Sequence, residues 1–248
     1  MESPFKLALK PPESLLDIQY PPRSYRKGWT RQDLLSVLPE SGITALDVGS
    51  GPAPLRLRSQ DRVTTVDMSA ANHPDVVTDV TKHWPFRESE FDLVYAAHSV
   101  EHFYARDRDR LMCSFHQSLR PGGLLFIRVP HRTGFQATGW EHQTVYGLHG
   151  AVGLCHGQNP YLPMFRAVSS ACVMSINFSE SRNILEDLME RCLNLSWGLT
   201  ERWLGFIVGG IPEVQFLLQK LSPEVEARFR TVPMETSHLT CFGETKCI

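Results

Sequence analysis

The chain has 248 residues, of which 42% are hydrophobic and 21% are charged, and its formal net charge at pH 7 is −2. This length fits one decorated α/β domain better than two domains, and the near-neutral charge makes a nucleic-acid partner unlikely to be its main ligand. No apolar run reaches the roughly 18 residues of a membrane-spanning helix, and the first residues contain no signal-peptide core, so no membrane association is expected. Six scattered cysteines without a CxxC pair are typical of free thiols, so we expect a cytoplasmic protein.

The first 29 residues differ in composition from the rest of the chain. Residues 1–29 contain five prolines and few periodic apolar positions, so we predict an extended N-terminal arm that covers the ligand site. Near its end, Arg26 and Lys27 lie between Tyr25 and Trp29. These cations either belong to a solvated turn or contact a carboxylate of the ligand.

A capped helix opens the domain that follows the arm. Thr30 and Asp33 have the spacing of a short capping box, and residues 34–38 supply an apolar face before Pro39 ends the helix. We expect this helix to lead into the first strand.

Residues 43–67 predict a buried strand, a glycine turn and a second strand that ends on a carboxylate. The segment opens with a short apolar run, as is typical of a central parallel strand. Gly49 and Gly51 allow the backbone to turn sharply and to approach a ligand closely. The β-branched residues 63–66 favour the second strand, and Asp67 at its end can accept both ribose hydroxyls of a nucleoside.

The sequence DVGSG, from Asp47 to Gly51, resembles the first motif of the class I S-adenosylmethionine-dependent methyltransferases. Pro54 stands where a dinucleotide fingerprint has its third glycine, which disfavours NAD and FAD. Because Pro52 and Pro54 remove two backbone donors, we expect the usual first helix to be shortened or replaced by a tight turn. The resemblance implies S-adenosylmethionine as the cofactor. The residues that it assigns to cofactor binding are Asp47, Gly49, Ser50, Gly51, Asp67, Met68, Asp79, Val80 and Ala97.

Two further strands are predicted before the middle of the chain. Val76 and Val77 indicate a short third strand that ends near Asp79, and residues 91–96 indicate a fourth strand. In the family, an acidic residue at the position of Asp79 accepts the adenine amino group. The alternative is that Asp79 caps the turn at Thr81.

The motif HxxEH, from His98 to His102, follows the fourth strand directly. It matches an inverted zinc-peptidase motif, but such a motif needs a mid-helix position, so we predict no metal ligand here. His98, beside the expected methyl group, is the first candidate for a general base, followed by His102 and by His131 after the fifth strand. The alternative is that Glu101 and His102 only stabilise the start of a helix over residues 111–119.

A second motif of the same family lies at residues 119–130. The sequence LRPGG, followed by an apolar run, resembles the family's turn into the fifth strand, and its glycines are structural. Residues 131–170 are rich in glycine and histidine and are predicted as a substrate-binding insertion. They contain an alternative metal-ligand set whose spacings do not match a compact zinc site, so we predict no metal. That set is His142, His149, Cys155 and His156.

The last third completes the predicted sheet. Residues 171–178 indicate a sixth strand, and residues 214–218 a seventh, antiparallel strand. Between them, residues 180–193 and 201–208 are predicted as helices. The side chains expected to face inward, or to pack in the core or a lid, are Ile184, Leu185, Leu188, Met189, Trp197, Trp203 and Phe206.

Residues 30–248 are therefore predicted as a single α/β domain with the insertion at 131–170. Its fold is a Rossmann-like, mostly parallel seven-stranded sheet with an antiparallel last strand and helices on both faces. The resemblance implies methyl transfer, and the near-neutral chain with its histidine-bearing insertion favours a hydroxyl of a small molecule or sugar as acceptor. The alternatives are a cofactor-binding protein with a scaffold role and a methyltransferase that acts on protein or RNA.

Overall fold

The computed structural model describes residues 5–7, 9–155, 157, 162–174, 184–208 and 210–230. Seven strands form one sheet in the order β3-β2-β1-β4-β5-β7-β6. The strands are β1 (Thr44–Val48), β2 (Arg62–Asp67), β3 (Val76–Val77), β4 (Phe91–Ala97), β5 (Leu119–Pro130), β6 (Phe165–Val173) and β7 (Glu213–Lys220). All neighbouring strands pair in parallel except β7, which is antiparallel to both β5 and β6, so the predicted fold is confirmed.

Helices precede the first strand, follow the last strand and lie on several of the connections between strands. The α-helices are α1 (Leu15–Gln19), α2 (Arg31–Val37), α3 (Ala105–Ser118), α4 (Ile184–Leu195), α5 (Trp197–Leu199), α6 (Gly205–Ile207) and α7 (Pro223–Phe229). The short 3-10 helices are Arg23–Tyr25, Ala70–Asn72, Val100–His102, Phe135–Thr138 and Val152–Cys155, and Thr200–Leu204 is a π turn between α5 and α6. Over the described ranges, the helices are too short or too polar to cross a bilayer.

The central strands are buried on both faces, which gives the chain two hydrophobic layers. Leu93 of β4 packs in the layer that contains Leu34 of α2, and its neighbour Val94 packs in the layer that contains Phe115 of α3. Successive side chains of a strand point to opposite faces of the sheet. The continuous apolar runs of the sequence therefore correspond to strands covered on both sides.

Two predictions at the start of the domain agree with the structure: the capping box of α2 and the shortened connection after β1. Thr30 Oγ1 accepts a hydrogen bond from the Asp33 N–H at 3.0 Å, and Asp33 Oδ2 accepts one from the Thr30 N–H at 2.9 Å. The predicted capping box therefore opens α2. Residues 49–61 connect β1 to β2 without a helix, as the two prolines predict.

The N-terminal arm is not simply extended, which corrects the prediction. Ser14 and Asp17 form a capping box that begins α1, and Ile18 of this helix is fully buried in the core. Lys27 pairs with Asp33 at 2.6 Å, and Arg26 donates to a backbone carbonyl. The arm packs along the sheet instead of over a ligand site.

The last third departs most from the prediction. Strand β6 begins at Phe165, and residues 175–178 of the predicted strand lie outside the described residues. Strand β6 contains three buried polar residues, Arg166, Ser169 and Ser170. Because they interrupt the apolar pattern, the sequence does not indicate the first part of this strand. The insertion consequently ends before residue 165.

Helix α4 presents mainly polar residues to the sheet, so the inward prediction is wrong for Ile184, Leu185 and Leu188, whereas Met189 is half-buried. Ile184 is 90% exposed, and Leu185 and Leu188 are also exposed. Glu190 accepts a hydrogen bond from the backbone N–H of Met174, and Asn194 exchanges two hydrogen bonds with the backbone of Cys172. The helix thereby covers the open edge of β6, where backbone groups need partners. Of the three predicted core or lid aromatics, Trp197 is buried, whereas Trp203 and Phe206 are exposed.

Candidate functional site

A cavity of about 310 Å³ lies at the carboxyl ends of the parallel strands β1 to β4. In an open α/β sheet, ligands bind at this edge. We call it the strand-end cavity. The residues that line it are Gly49, Gly51, Asp67, Met68, Thr78, Asp79, Val80, His98, Ser99, His102 and Phe103. The structure therefore brings together six of the nine predicted cofactor residues and two of the three predicted histidines.

The two glycines after β1 have different tasks. Both have positive φ angles, 68° at Gly49 and 54° at Gly51. A Cβ on Gly49 would lie 2.7 Å from the Cβ of Ser99, whereas a Cβ on Gly51 would meet nothing within 4 Å. Gly49 thus allows the turn after β1 to pack against the turn after β4. Only Gly51 faces open space, as a residue that makes room for a ligand must.

Asp67 ties the glycine turn to the end of β2. Its Oδ2 accepts a hydrogen bond from the Gly51 N–H at 2.9 Å, and its Oδ1 accepts one from the Ser69 N–H at 2.7 Å. A carboxylate has about four acceptor positions, so both oxygens can still accept ligand hydroxyls.

Asp79 caps a turn and lines the cavity at the same time. Its Oδ1 accepts hydrogen bonds from the N–H and the hydroxyl of Thr81, at 3.0 and 2.6 Å, and its Oδ2 pairs with Lys82 at 2.8 Å. The hydrogen bonds from Lys82 and Thr81 lower the pKa of Asp79, so the side chain is ionised. The cap predicted as the alternative is therefore present, and a ligand contact would come in addition to it.

Three predicted cofactor residues do not line the cavity. Asp47 is 2% exposed and accepts a hydrogen bond from the Leu55 N–H at 2.7 Å, behind the glycine turn. Ser50 is buried, and its N–H points to the carbonyl of Val66. Ala97 is the last residue of β4 and is absent from the lining. Asp47 and Ser50 act by shaping the turn.

Thr78, Ser99 and Phe103 also line the cavity and are not among the predicted site residues. Ser99 is 6% exposed, and its hydroxyl has no hydrogen-bond partner within the described residues. A buried hydroxyl without a partner is costly, which is a reason to expect a ligand group beside it. Thr78 directly follows the predicted third strand, which was the available signal for it, whereas Ser99 and Phe103 lie further along the turn after the fourth strand.

His98 lies at the cavity wall between two carboxylates. Its Nε2 is 3.0 Å from Glu213 Oε2, and its Nδ1 is 3.5 Å from Glu101 Oε1. Burial alone lowers the pKa of His98, but Glu101 and Glu213 outweigh it and raise the pKa to about 9. Both ring nitrogens thus face carboxylates, and the ring is protonated at neutral pH. A general base at this position needs a neutral ring, which the two carboxylates disfavour, and the base role of His98 stays a prediction.

Glu213, which contacts His98, also forms a buried ion pair with Arg128. Arg128 donates from Nε and Nη2 to the two oxygens of Glu213, at 3.0 and 2.7 Å, and both residues are almost fully buried. Gln215 donates to Glu213 at 2.9 Å and accepts from the backbone N–H of Trp29 at 2.7 Å. This chain of hydrogen bonds links the N-terminal arm to His98. An arginine within the apolar run of β5 was the sequence signal for a buried partner, but not for its identity.

His131 does not belong to the cavity, which corrects its candidacy as a base. The side chain is fully buried, with Nδ1 2.9 Å from Thr133 Oγ1 and Nε2 3.4 Å from Glu201 Oε1. Burial opposes ionisation of Glu201, but its contacts with His131, Leu148 and Arg132 lower its pKa to about 2. These contacts hold the insertion against the π turn. His131 itself is buried away from the strand-end cavity.

His102 also lines the cavity, and its ring lies against a residue of the insertion. Its ring and that of His142 are 4.8 Å apart between centroids and nearly perpendicular. The predicted alternative metal set is not assembled, because His149 packs on Trp197 and Cys155 is buried in the core. His156 of that set lies outside the described residues.

The central part of the chain is similar to known proteins. Residues 46–127 match the family model of a methyltransferase domain. A curated relative, trans-aconitate 2-methyltransferase of Deinococcus radiodurans, is 28% identical over 151 residues, or 53% of this chain and 57% of that protein. The match thus spans little more than half the length of that relative. The motif-based resemblance to class I methyltransferases is confirmed for the matched residues.

Solved structures are also similar to this chain. An S-adenosylmethionine-dependent methyltransferase of Archaeoglobus fulgidus aligns with a TM-score of 0.45 and 14% identity, over 79% of this chain and 89% of that chain. The [4+2]-cyclase SpnF aligns with a TM-score of 0.46 and 14% identity, over 73% of this chain and 76% of that chain.

Proposed function

We propose that this chain, which carries a methyltransferase domain over residues 46–127, binds S-adenosylmethionine in the strand-end cavity and transfers its methyl group to a small acceptor. The observation that carries the proposal is the convergence of Gly51, Asp67 and Asp79 on one cavity, within the segment that matches the family. When bound, the cofactor supplies an activated methyl group on a sulfonium.

The residues of the cavity fit this cofactor. The carboxylate of Asp67 is placed to accept ribose hydroxyls, and that of Asp79 to accept the adenine amino group. Met68, Val80 and Phe103 supply apolar surface for the base, and Met68 is 75% exposed. The unpartnered hydroxyl of Ser99 offers a further polar contact.

The acceptor that we propose is a hydroxyl of a small molecule or sugar. The name of the Deinococcus relative refers to a small carboxylic acid, which supports a small-molecule acceptor, while the hydroxyl is our proposal from the histidine-bearing insertion. His142 of the insertion lies against His102, which lines the cavity, and this contact supports a role of the insertion in acceptor binding. Because the displacement is in line, holding the acceptor against the methyl carbon supplies much of the acceleration.

Calorimetry with Asp67→Ala tests the cofactor site. Loss of the carboxylate leaves ribose donors unpaired, so affinity for S-adenosylmethionine should fall by about 1 to 3 kcal/mol. Asp75→Ala is a matched control, because Asp75 accepts hydrogen bonds from the N–H and hydroxyl of Thr65 at an exposed position outside the cavity. Equal affinity of wild type and Asp67→Ala would contradict the proposal.

Measured turnover of S-adenosylmethionine distinguishes a small-molecule methyltransferase from a scaffold protein and from a methyltransferase that acts on protein or RNA. Formation of S-adenosylhomocysteine should rise with a suitable hydroxyl compound in a panel of small acceptors. Tight cofactor binding with slow turnover that no acceptor changes would favour a scaffold role. Turnover that responds only to protein or RNA would overturn the small-molecule acceptor and leave the cofactor site standing.

A further inference from the structure

Glu101 is a buried carboxylate that the proposed reaction leaves unexplained. The residue is 1% exposed, and neither of its side-chain oxygens receives a hydrogen bond from the described part of the chain. The nearest cation, His98 Nδ1, is 3.5 Å away, and the other nitrogen of that ring faces Glu213. A buried carboxylate with so few partners is strongly disfavoured unless another cation compensates for its charge.

Two histidines offer nitrogen atoms to the same point. His102 follows Glu101 in the 3-10 helix after β4, and His142 comes from the insertion. The Nδ1 atom of His142 is buried and lacks a hydrogen-bond partner among the described residues. One ligand atom from each of Glu101, His102 and His142 lies within 4.8 Å of the others. Three potential ligands thus surround one position, and two of them, Glu101 and His142, have buried polar atoms without a hydrogen-bond partner among the described residues.

The backbone holds these side chains together. The carbonyl of Glu101 accepts hydrogen bonds from the N–H groups of Gln143 and Thr144, at 2.8 and 3.2 Å. These bonds fasten the segment that carries His142 to the turn that carries Glu101 and His102. The fold therefore holds the backbone of the three residues in one place.

We propose that Glu101, His102 and His142 bind one divalent ion of the Zn²⁺ type. Two imidazoles and one carboxylate form a donor set found in catalytic zinc sites, where a fourth position stays open. Tetrahedral zinc holds its ligand atoms about 3.4 Å apart, so small side-chain rotations bring these atoms into place. The site uses two residues of the HxxEH motif, but it replaces the first histidine of that motif with His142.

The ion would lie beside the strand-end cavity, because His102 lines that cavity. Metal binding stands independently of methyl transfer, and a catalytic role for the ion rests on the proposed function. In that role, the ion lowers the pKa of an acceptor hydroxyl, which loses its proton to water, and the oxygen then forms the bond to the methyl carbon as the sulfur–carbon bond breaks. His98, held between two carboxylates, is poorly placed for that task.

Titration of metal-free full chain with Zn²⁺ in a calorimeter, without cofactor, tests the site. We expect one ion per chain from this site and binding at least about 100-fold weaker in His102→Ala and in His142→Ala. His83→Ala, an exposed histidine outside the cluster, should bind as wild type does. Glu101→Gln keeps the volume of the side chain and should also weaken binding.

Thermal unfolding distinguishes a lost ligand from a lost fold. Zn²⁺ should raise the melting temperature of wild type and of His83→Ala, but not that of His142→Ala, whose metal-free melting temperature and cofactor affinity should stay near wild type. Zn²⁺ affinity that is unchanged in the three ligand variants would overturn the proposal, as would no binding to wild type. Cofactor affinity is measured separately, so failure of the metal site would not be confused with failure of the cofactor site.

Discussion

Replacing Asp47 by Asn should stabilise the protein, and the size of the effect should depend on pH. Burial raises the pKa of Asp47 from 3.8 to about 6, the Leu55 N–H opposes this shift, and the nearby Asp67 carboxylate adds to it. The folded chain therefore holds this proton more tightly than the unfolded chain. The resulting stabilisation is present at low pH and is lost as the pH rises through about 6. Relative to low pH, a pKa raised from 3.8 to about 6 lowers the free energy of unfolding by about 3 kcal/mol at pH 8. At pH 4.5 the free energy of unfolding is lower by about 1 kcal/mol.

Asn keeps the oxygen that accepts from Leu55 but carries no charge. The advantage of Asp47→Asn over wild type in free energy of unfolding should therefore grow by about 2 kcal/mol between pH 4.5 and pH 8. Urea unfolding followed by circular dichroism measures it. Asp92→Asn is the control, since Asp92 is buried on the next strand but pairs with Arg120 at 2.6 Å, so its replacement should destabilise the protein at pH 8. An advantage of Asp47→Asn that is the same at both pH values would refute the reasoning.

Four other substitutions test the neighbourhood of the cavity. Gly49→Ala places a Cβ 2.7 Å from the Cβ of Ser99, at a residue with a positive φ angle. Urea unfolding should therefore show a free energy of unfolding that is lower by at least about 1 kcal/mol. Gly51→Ala should lower it less, because the space beside Gly51 is open. Glu213→Gln leaves Arg128 buried without its carboxylate and should lower the free energy of unfolding by about 3 to 5 kcal/mol; an unchanged value would show that the pair contributes little. His98→Ala should lower the melting temperature because Glu213 loses one of its cationic partners, whereas a loss of turnover alone would restore His98 as a base.

The parts of the site that the sequence predicts are those set by local patterns. Gly51 and Asp67 follow predicted strands directly, and the topology of parallel sheets brings strand ends to one edge. The ion pair of Arg128 and Glu213 could not be predicted, because it joins residues 85 positions apart through an antiparallel strand whose register the sequence does not reveal. Helix α4 misled the prediction for a related reason. Its periodic leucines indicate an apolar inner face, but the edge of β6 needed hydrogen-bond partners, and Asn194 supplies them.

The reversed direction of β7 has a consequence for the nascent protein. Because β7 runs against its neighbours, its first residue, Glu213, lies at the edge where β4 and β5 end. Arg128 and His98 are made 85 and 115 residues before the carboxylate that they share. Until Glu213 has been synthesised, Arg128 and His98 lack its carboxylate as a counter-charge. A ribosome-bound chain or a truncated fragment that stops before β7 could form the strands of the cavity, but the electrostatic balance beneath it would be incomplete.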